Sequence, residues 1–211
     1  MVEVTDFIFS QFNGYTPFFL ALELTAVFFG LLSVIFSARN SIWVYPTGLV
    51  NTGIFIYIMY ASNLYGDLIV NIFYFYMSAY GWLLWSKLSG RESLTITHAT
   101  QKDNHKCIVI FSVSVIFATA IYLWFNMFGP WWTYVDIFTT GLFFVGMWLL
   151  AKRKVENWIY LIIGDIIVVP LFYYKGLVFT AIFYVVLTII AIFGYRAWKR
   201  TLLSNIPAQS I

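Results

Sequence analysis

The stretch KVENWIYLIIGDIIVVPLFYYKG, residues 154–176, decides how the chain is read. A helix crosses a bilayer in about 20 predominantly apolar residues, and this stretch meets that length. Asp165 stands near its middle. A carboxylate at bilayer depth costs at least about 2.5 kcal/mol, so such a residue faces a cavity or a partner rather than lipid. Six more apolar segments surround it. They predict helices over 18–38, 42–61, 65–86, 106–126, 132–151 and 177–198, with 155–174 as the sixth of seven in chain order. The one long polar stretch, 87–105, separates the third helix from the fourth.

Composition agrees with a polytopic membrane protein. Of 211 residues 62% are hydrophobic and only 10% charged, against about 25% charged in soluble domains. The reading is one membrane domain over 18–198, an interfacial segment over 1–17 and a tail over 199–211. The N-terminal stretch lacks a basic n-region and a small-residue cleavage site, so no cleaved signal peptide is expected. Cys107 is the only cysteine, which excludes an intrachain disulfide and a cysteine metal site. No cofactor, metal or nucleic-acid partner is expected; membrane lipid is.

Basic residues give the orientation. Eleven of the twelve fall in the connections after odd-numbered helices and in the C-terminal region; Lys175 alone falls on the other side. The positive-inside rule then places the N-terminus outside and the C-terminus in the cytoplasm. That asymmetry also supports seven helices, because a missed helix would scramble it.

A shift of 113 residues superposes the two ends of the chain. Glu23 falls on Asp136, Ala38-Arg39 on Ala151-Lys152, Tyr60 on Tyr173, and Leu64 on Leu177. Gly81-Trp82-x-x-Trp85 falls on Gly194-Tyr195-x-x-Trp198. Residues 18–87 and 132–200 are thus two copies of a three-helix unit, with helix 106–126 as the linker. Three helices would invert the second copy; one linker helix restores its direction. The result is an all-α 3+1+3 parallel repeat, the arrangement of the SWEET sugar transporters, with the site expected near the midplane between repeats.

Polar residues mark that site. Asp67, Asn71, Tyr74, Ser78, Gly81 and Trp85 step by four and three along one face of the third helix. Trp158 and Asp165 share a face of the sixth, Trp43, Thr47 and Asn51 of the second, and Thr180, Tyr184, Thr188 and Tyr195 of the seventh. The candidate substrate-binding set is Glu23, Asn51, Asp67, Asn71, Tyr74, Asp136, Trp158, Asp165 and Tyr184. Aromatic faces with carboxylates suit a flat cationic ring, which gains about 2 kcal/mol from the ring quadrupole when desolvated. Structural readings compete at each position: Asp165 as interhelical glue, Glu23 and Asp136 as packing or capping groups, Asp67 at a helix N-terminus. Trp131 and Trp132 read as interface belt, and His98 and His105 as solvated loop residues. Pro170 reads as a hinge in the sixth helix, and Pro46 as an ordinary first-turn proline.

Across residues 20–200 the chain resembles the PnuC family of bacterial vitamin transporters. The resemblance rests on Glu23 followed by the Gly30 helix, VYPTGLVN (44–51), LYGDLIVN (64–71), YGWLLW (80–85), RKVENW (153–158) and YKG (174–176). It implies a SWEET-like fold and facilitated diffusion of a vitamin across the inner membrane. It also implies trapping by a cytoplasmic kinase, and a homotrimer as one assembly. Members that carry nicotinamide riboside look like N-W-x-x-W-x-x-x-N in the sixth helix. Here Asn157 and Trp158 stand, but Leu161 and Asp165 depart, as do Asp67 and Asn71 from a Ser and a Gln. Those departures and the added acids favour thiamine as substrate, with nicotinamide riboside as the alternative.

Other classes fit less well. A retinal protein needs a lysine inside the last helix, and none lies between Leu177 and Tyr195. An intramembrane Ser–His enzyme needs a histidine at depth, and both histidines lie in the polar stretch. An aspartyl enzyme built on Asp136 and Asp165 and a sugar carrier remain as readings. No Gly-rich phosphate loop of the P-loop type is present.

Overall fold

The computed structural model describes residues 12, 14–62, 65–87 and 95–204, without the side chains of 65–67. Among these residues there are seven α-helices: α1 (Pro17–Ala38), α2 (Val44–Ala61), α3 (Tyr65–Lys87), α4 (Gln101–Trp124), α5 (Trp132–Ala151), α6 (Asn157–Tyr174) and α7 (Val178–Ser204). All but α2 are long and apolar enough to cross a membrane. In α2 the apolar run is diluted by Thr47, Gly48, Asn51, Thr52 and Gly53. The expected boundaries hold within two residues except at two places. Helix α4 starts at Gln101, five residues early, because Thr100 and Asp103 form a reciprocal capping box. Helix α7 runs on to Ser204. Pro46 falls in the first turn of α2, and α6 continues through Pro170 to Tyr174.

The helices form a closed ring. Contacts run from α1 to α2, α2 to α3, α3 to α5, α5 to α6, α6 to α7 and α7 back to α1, while α4 packs on α5 outside it. Two three-helix units, α1–α3 and α5–α7, therefore meet along two seams, α3 against α5 and α7 against α1.

The repeat is carried by local devices that sequence identity hides. Helix α1 ends with Asn40 in the left-handed region (φ 53°), and α5 ends with Arg153 at φ 52°; these residues are 113 apart. In each, the amide of that residue and of the next close back onto the last turn: Asn40 N to Ser37 O and Ser41 N to Phe36 O, then Arg153 N to Leu150 O and Lys154 N to Leu149 O, all at 2.9 Å. These pairs satisfy carbonyls that a helix end otherwise leaves open. Where the first helix of each unit meets the second, glycines allow close approach, but they swap sides. Gly30 of α1 makes room for Asn51, whereas Gly164 of α6 makes room for Phe143. Gly48 of α2 makes room for Ser33, whereas Gly146 of α5 makes room for Leu161.

At the end carrying Arg39, Lys87 and residues 152–154, both seams are shut by one repeated arrangement. Tyr45 lies in the space a Cβ would need at Gly81, and Trp158 does the same at Gly194. Tyr45 meets Trp85 edge-to-face at 5.0 Å; Trp158 meets Trp198 edge-to-face at 5.7 Å. Each tryptophan then reaches across to the other unit. Trp85 Nε1 donates to Ala151 O at 3.1 Å, and Trp198 Nε1 donates to Ser37 O at 2.9 Å. These rings share one buried cluster with Val44, Leu150, Val155 and Ala191. Edge-to-face pairs add about 0.5–1.5 kcal/mol each beyond their area burial.

The linker before α4 is pinned to the α5–α6 turn. Thr97 N donates to Arg153 O and Val155 N to Thr97 O, both at 3.1 Å. Glu156 accepts from Ala99 N and pairs with His98 Nδ1, each at 2.8 Å. Lys154 Nζ lies 3.3 Å from Asp103. His98, expected as a solvated loop residue, is exposed but holds this clasp.

Candidate functional site

Toward the opposite end the two units diverge around a cavity of about 580 Å³ that is partly open there. Small-molecule sites run to about 300–1,000 Å³ and are mostly apolar with a few placed polar groups. All seven helices line it, α4 through Ala118, Ile121 and Tyr122.

Five of the nine residues expected at the site line this cavity: Glu23, Asn71, Tyr74, Asp136 and Tyr184. Glu23 and Asp136, the repeat-related acids, face it from α1 and α5. Their partners differ. Asp136 Oδ2 lies 2.7 Å from Lys175 Nζ and accepts a long 3.4 Å bond from Tyr122 Oη. The side chains of Lys175 and Asp136 are 21% and 20% exposed, so the pair is screened less than a surface pair would be. Glu23 instead accepts a hydrogen bond from the neutral Tyr15 hydroxyl. Burial, together with that carboxylate, pushes the Tyr15 phenol above its ordinary range. Aromatic rings supply the walls. Phe172 stacks on Tyr184 at 5.2 Å, with Phe143 and Phe183 at 6.3 and 5.8 Å from the same ring.

Three expected residues lie away from the cavity lining. Trp158 is fully buried against Gly194 and Trp198 in the shut seam, so it has no face for a ligand here. Asn51 Nδ2 donates to Ala26 O at 2.7 Å, tying α2 to α1. Asp165 is 5% exposed and makes no hydrogen bond or ion pair among the described residues. It is not among the residues that line the cavity, but it lies near Tyr74, which is. The side chain of Asp67 lies outside the described residues. On α3 the predicted stripe divides by depth: Asn71 and Tyr74 line the cavity, while Ser78, Gly81 and Trp85 pack the shut end.

Several lining residues escaped the periodicity reading. Trp132, expected in the interface belt, lines the cavity. Lys175 was legible as the one basic residue on its side of the chain, and Asp136 as an acid needing a counter-charge. Tyr15, Tyr122 and Phe172 carried no signal that separates them from the many other aromatics.

Comparison with known proteins completes the picture. Residues 20–200 match the family described as nicotinamide mononucleotide transporter. The nicotinamide riboside transporter PnuC of Escherichia coli is 24% identical over 204 residues, covering 84% of either chain. The riboflavin/roseoflavin transporter RibM of Streptomyces davaonensis is 22% identical over 191 residues, covering 85% of this chain and 88% of that one. A crystal structure of the vitamin B3 transporter PnuC matches with TM-score 0.65 at 20% identity, over 92% of this chain and 95% of that one. That likeness is one of fold. The preference for thiamine finds no support among these relatives, and the structure weakens its basis. Leu161 fills the space at Gly146 and Asp165 is absent from the lining, so those two departures do not bear on the cavity, whereas Asn71 lines it and the Asp67 side chain lies outside the described residues. With the match running through both three-helix units and the linker helix, the chain belongs to the PnuC family of vitamin transporters.

Proposed function

We propose that the protein is a uniporter of nicotinamide riboside. The observation that carries this reading is the cavity between the two units, with aromatic walls and a carboxylate, Glu23, that has no cationic partner among the described residues. Nicotinamide riboside pairs a flat pyridinium with a ribose. The ring suits aromatic faces and one negative charge, and Asn71, Thr139, Thr140 and Thr180 offer polar groups to sugar hydroxyls. The mononucleotide fits less well. Its phosphate carries about −1.5 to −2 charges at pH 7, and Lys175 is already engaged by Asp136.

By the positive-inside argument the cavity faces the outside and the shut end faces the cytoplasm. Transport then requires the tryptophan seams to part while the cavity mouth closes, the two units moving against each other around a fixed site. Tyr45 Oη and Trp158 Nε1 are buried in the shut end without hydrogen-bond partners among the described residues. A buried unsatisfied group costs about 1–3 kcal/mol, and opening would hydrate both, which lowers the cost of parting the seams. A cytoplasmic kinase that phosphorylates the riboside would keep the gradient inward.

The test is counterflow in proteoliposomes. Vesicles preloaded with unlabelled nicotinamide riboside should accumulate labelled riboside at zero membrane potential and equal pH. Counterflow with thiamine and none with the riboside would reject the reading.

A further inference from the structure

We infer that, of the two repeat-related acids, Glu23 reads the substrate's positive charge, and that the repeat has already filled the corresponding place at Asp136 with a tethered cation, Lys175. This rests on the riboside reading above and specifies its charge recognition. The two acids are related by the 113-residue shift and line the same cavity. Lys175 Nζ sits 2.7 Å from Asp136. The residue 113 positions before Lys175 is Ser62, an exposed residue at the C-cap of α2 that lines the cavity too. The first unit therefore has the acid without the built-in cation. The hydrogen-bond partner of Glu23 among the described residues is the neutral Tyr15 hydroxyl, and no described cation pairs with it. A pyridinium placed beside Glu23 completes the symmetry that Lys175 completes at Asp136. Of the two repeat-related acids, one is thus left for a cation, not both.

The experiment compares nicotinamide riboside with its reduced dihydropyridine form, which has nearly the same shape and no charge. Binding of each is measured by calorimetry to the wild type, Glu23→Gln and Ser62→Lys in detergent. The wild type should bind the cationic form at least about tenfold more tightly, the size of one charge-assisted contact. Glu23→Gln should bring the two forms within about twofold while the reduced form keeps its wild-type affinity. Ser62→Lys places a lysine where the repeat predicts it, at a helix C-terminus that favours a cation. It should weaken the cationic form about tenfold and spare the reduced form. A preference that survives Glu23→Gln, or a Ser62→Lys variant that binds the cation as well as the wild type, overturns the inference while leaving the riboside reading intact. Failure of the wild type to bind either form overturns both.

Discussion

Replacing Trp85 and Trp198 by phenylalanine, singly, should reveal two unequal latches. Both changes keep an aromatic ring and delete an indole N–H that crosses between the units. The carbonyls left behind differ. Ser37 O still accepts from Asn40 N at 2.9 Å, so Trp198→Phe removes a second bond, about 0.5–1.5 kcal/mol. Among the described residues Ala151 O has Trp85 as its sole donor. Trp85→Phe therefore strands a buried acceptor, at about 1–3 kcal/mol. It also weakens the contact with the Arg153 guanidinium, 3.8 Å above that ring. Arg153 occupies a left-handed backbone position, where non-glycine residues are uncommon, so its anchoring matters twice. Thermal unfolding of the detergent-solubilised protein should rank wild type above Trp198→Phe above Trp85→Phe. Because both bonds exist only with the shut end closed, each 1.4 kcal/mol lost shifts the closed-to-open ratio about tenfold toward open. Ser78 is 5% exposed and packs against Gly48 of α2 at the shut end. In a Cys107→Ser background, a Ser78→Cys reporter should label faster with an impermeant maleimide in both variants, and faster in Trp85→Phe. Equal or reversed ranking, or unchanged labelling, would refute this account of the shut end.

Other perturbations separate packing from binding. Gly194→Ala would push a methyl to 2.6 Å from the buried Trp158 ring and should cost about 1–3 kcal/mol in unfolding measurements. Gly53→Ala, whose nearest neighbour would be Phe75 at 3.7 Å, should be neutral or stabilising by up to about 1 kcal/mol through helix propensity. Asp165→Asn removes a buried acid that has no hydrogen bond among the described residues. It should raise the unfolding temperature and weaken riboside binding less than Glu23→Gln does, as paired titrations would show. Thr100→Ala should cost about 1 kcal/mol by breaking the capping box of α4, with hydrogen exchange rising only near residues 100–105.

Seven helices were legible because each apolar run approaches the length a bilayer demands and the basic residues alternate cleanly. The repeat was legible only at its rigid points. Gly81 and Gly194, Trp85 and Trp198, and Glu23 and Asp136 keep their types because a ring, a seam or a cavity depends on each. Between them the units trade large for small across the same contact, as with Gly30–Asn51 and Phe143–Gly164, which conserves volume and erases identity. Of the nine residues expected at a site, five line the cavity. Helical periodicity identifies the face of α3 that points inward, but not the depth at which the ring is open. Trp158 and Asn51 were therefore assigned to ligand when packing and an interhelical bond use them. Asp165 drew attention as the intramembrane acid, yet depth along α6 does not say whether a side chain reaches the cavity. The start of α4 was missed despite its Thr100 and Asp103, because the apolar run begins only at Cys107 and hydropathy outweighed the cap.

The most direct test of the central claim is calorimetric titration of the purified protein with nicotinamide riboside and, in parallel, thiamine. Saturable binding of the riboside at one site per chain, with thiamine bound far more weakly, is the expected result. Tight binding of thiamine with none of the riboside would contradict the account: the fold and its repeat would stand, and the substrate assigned to the cavity would be wrong.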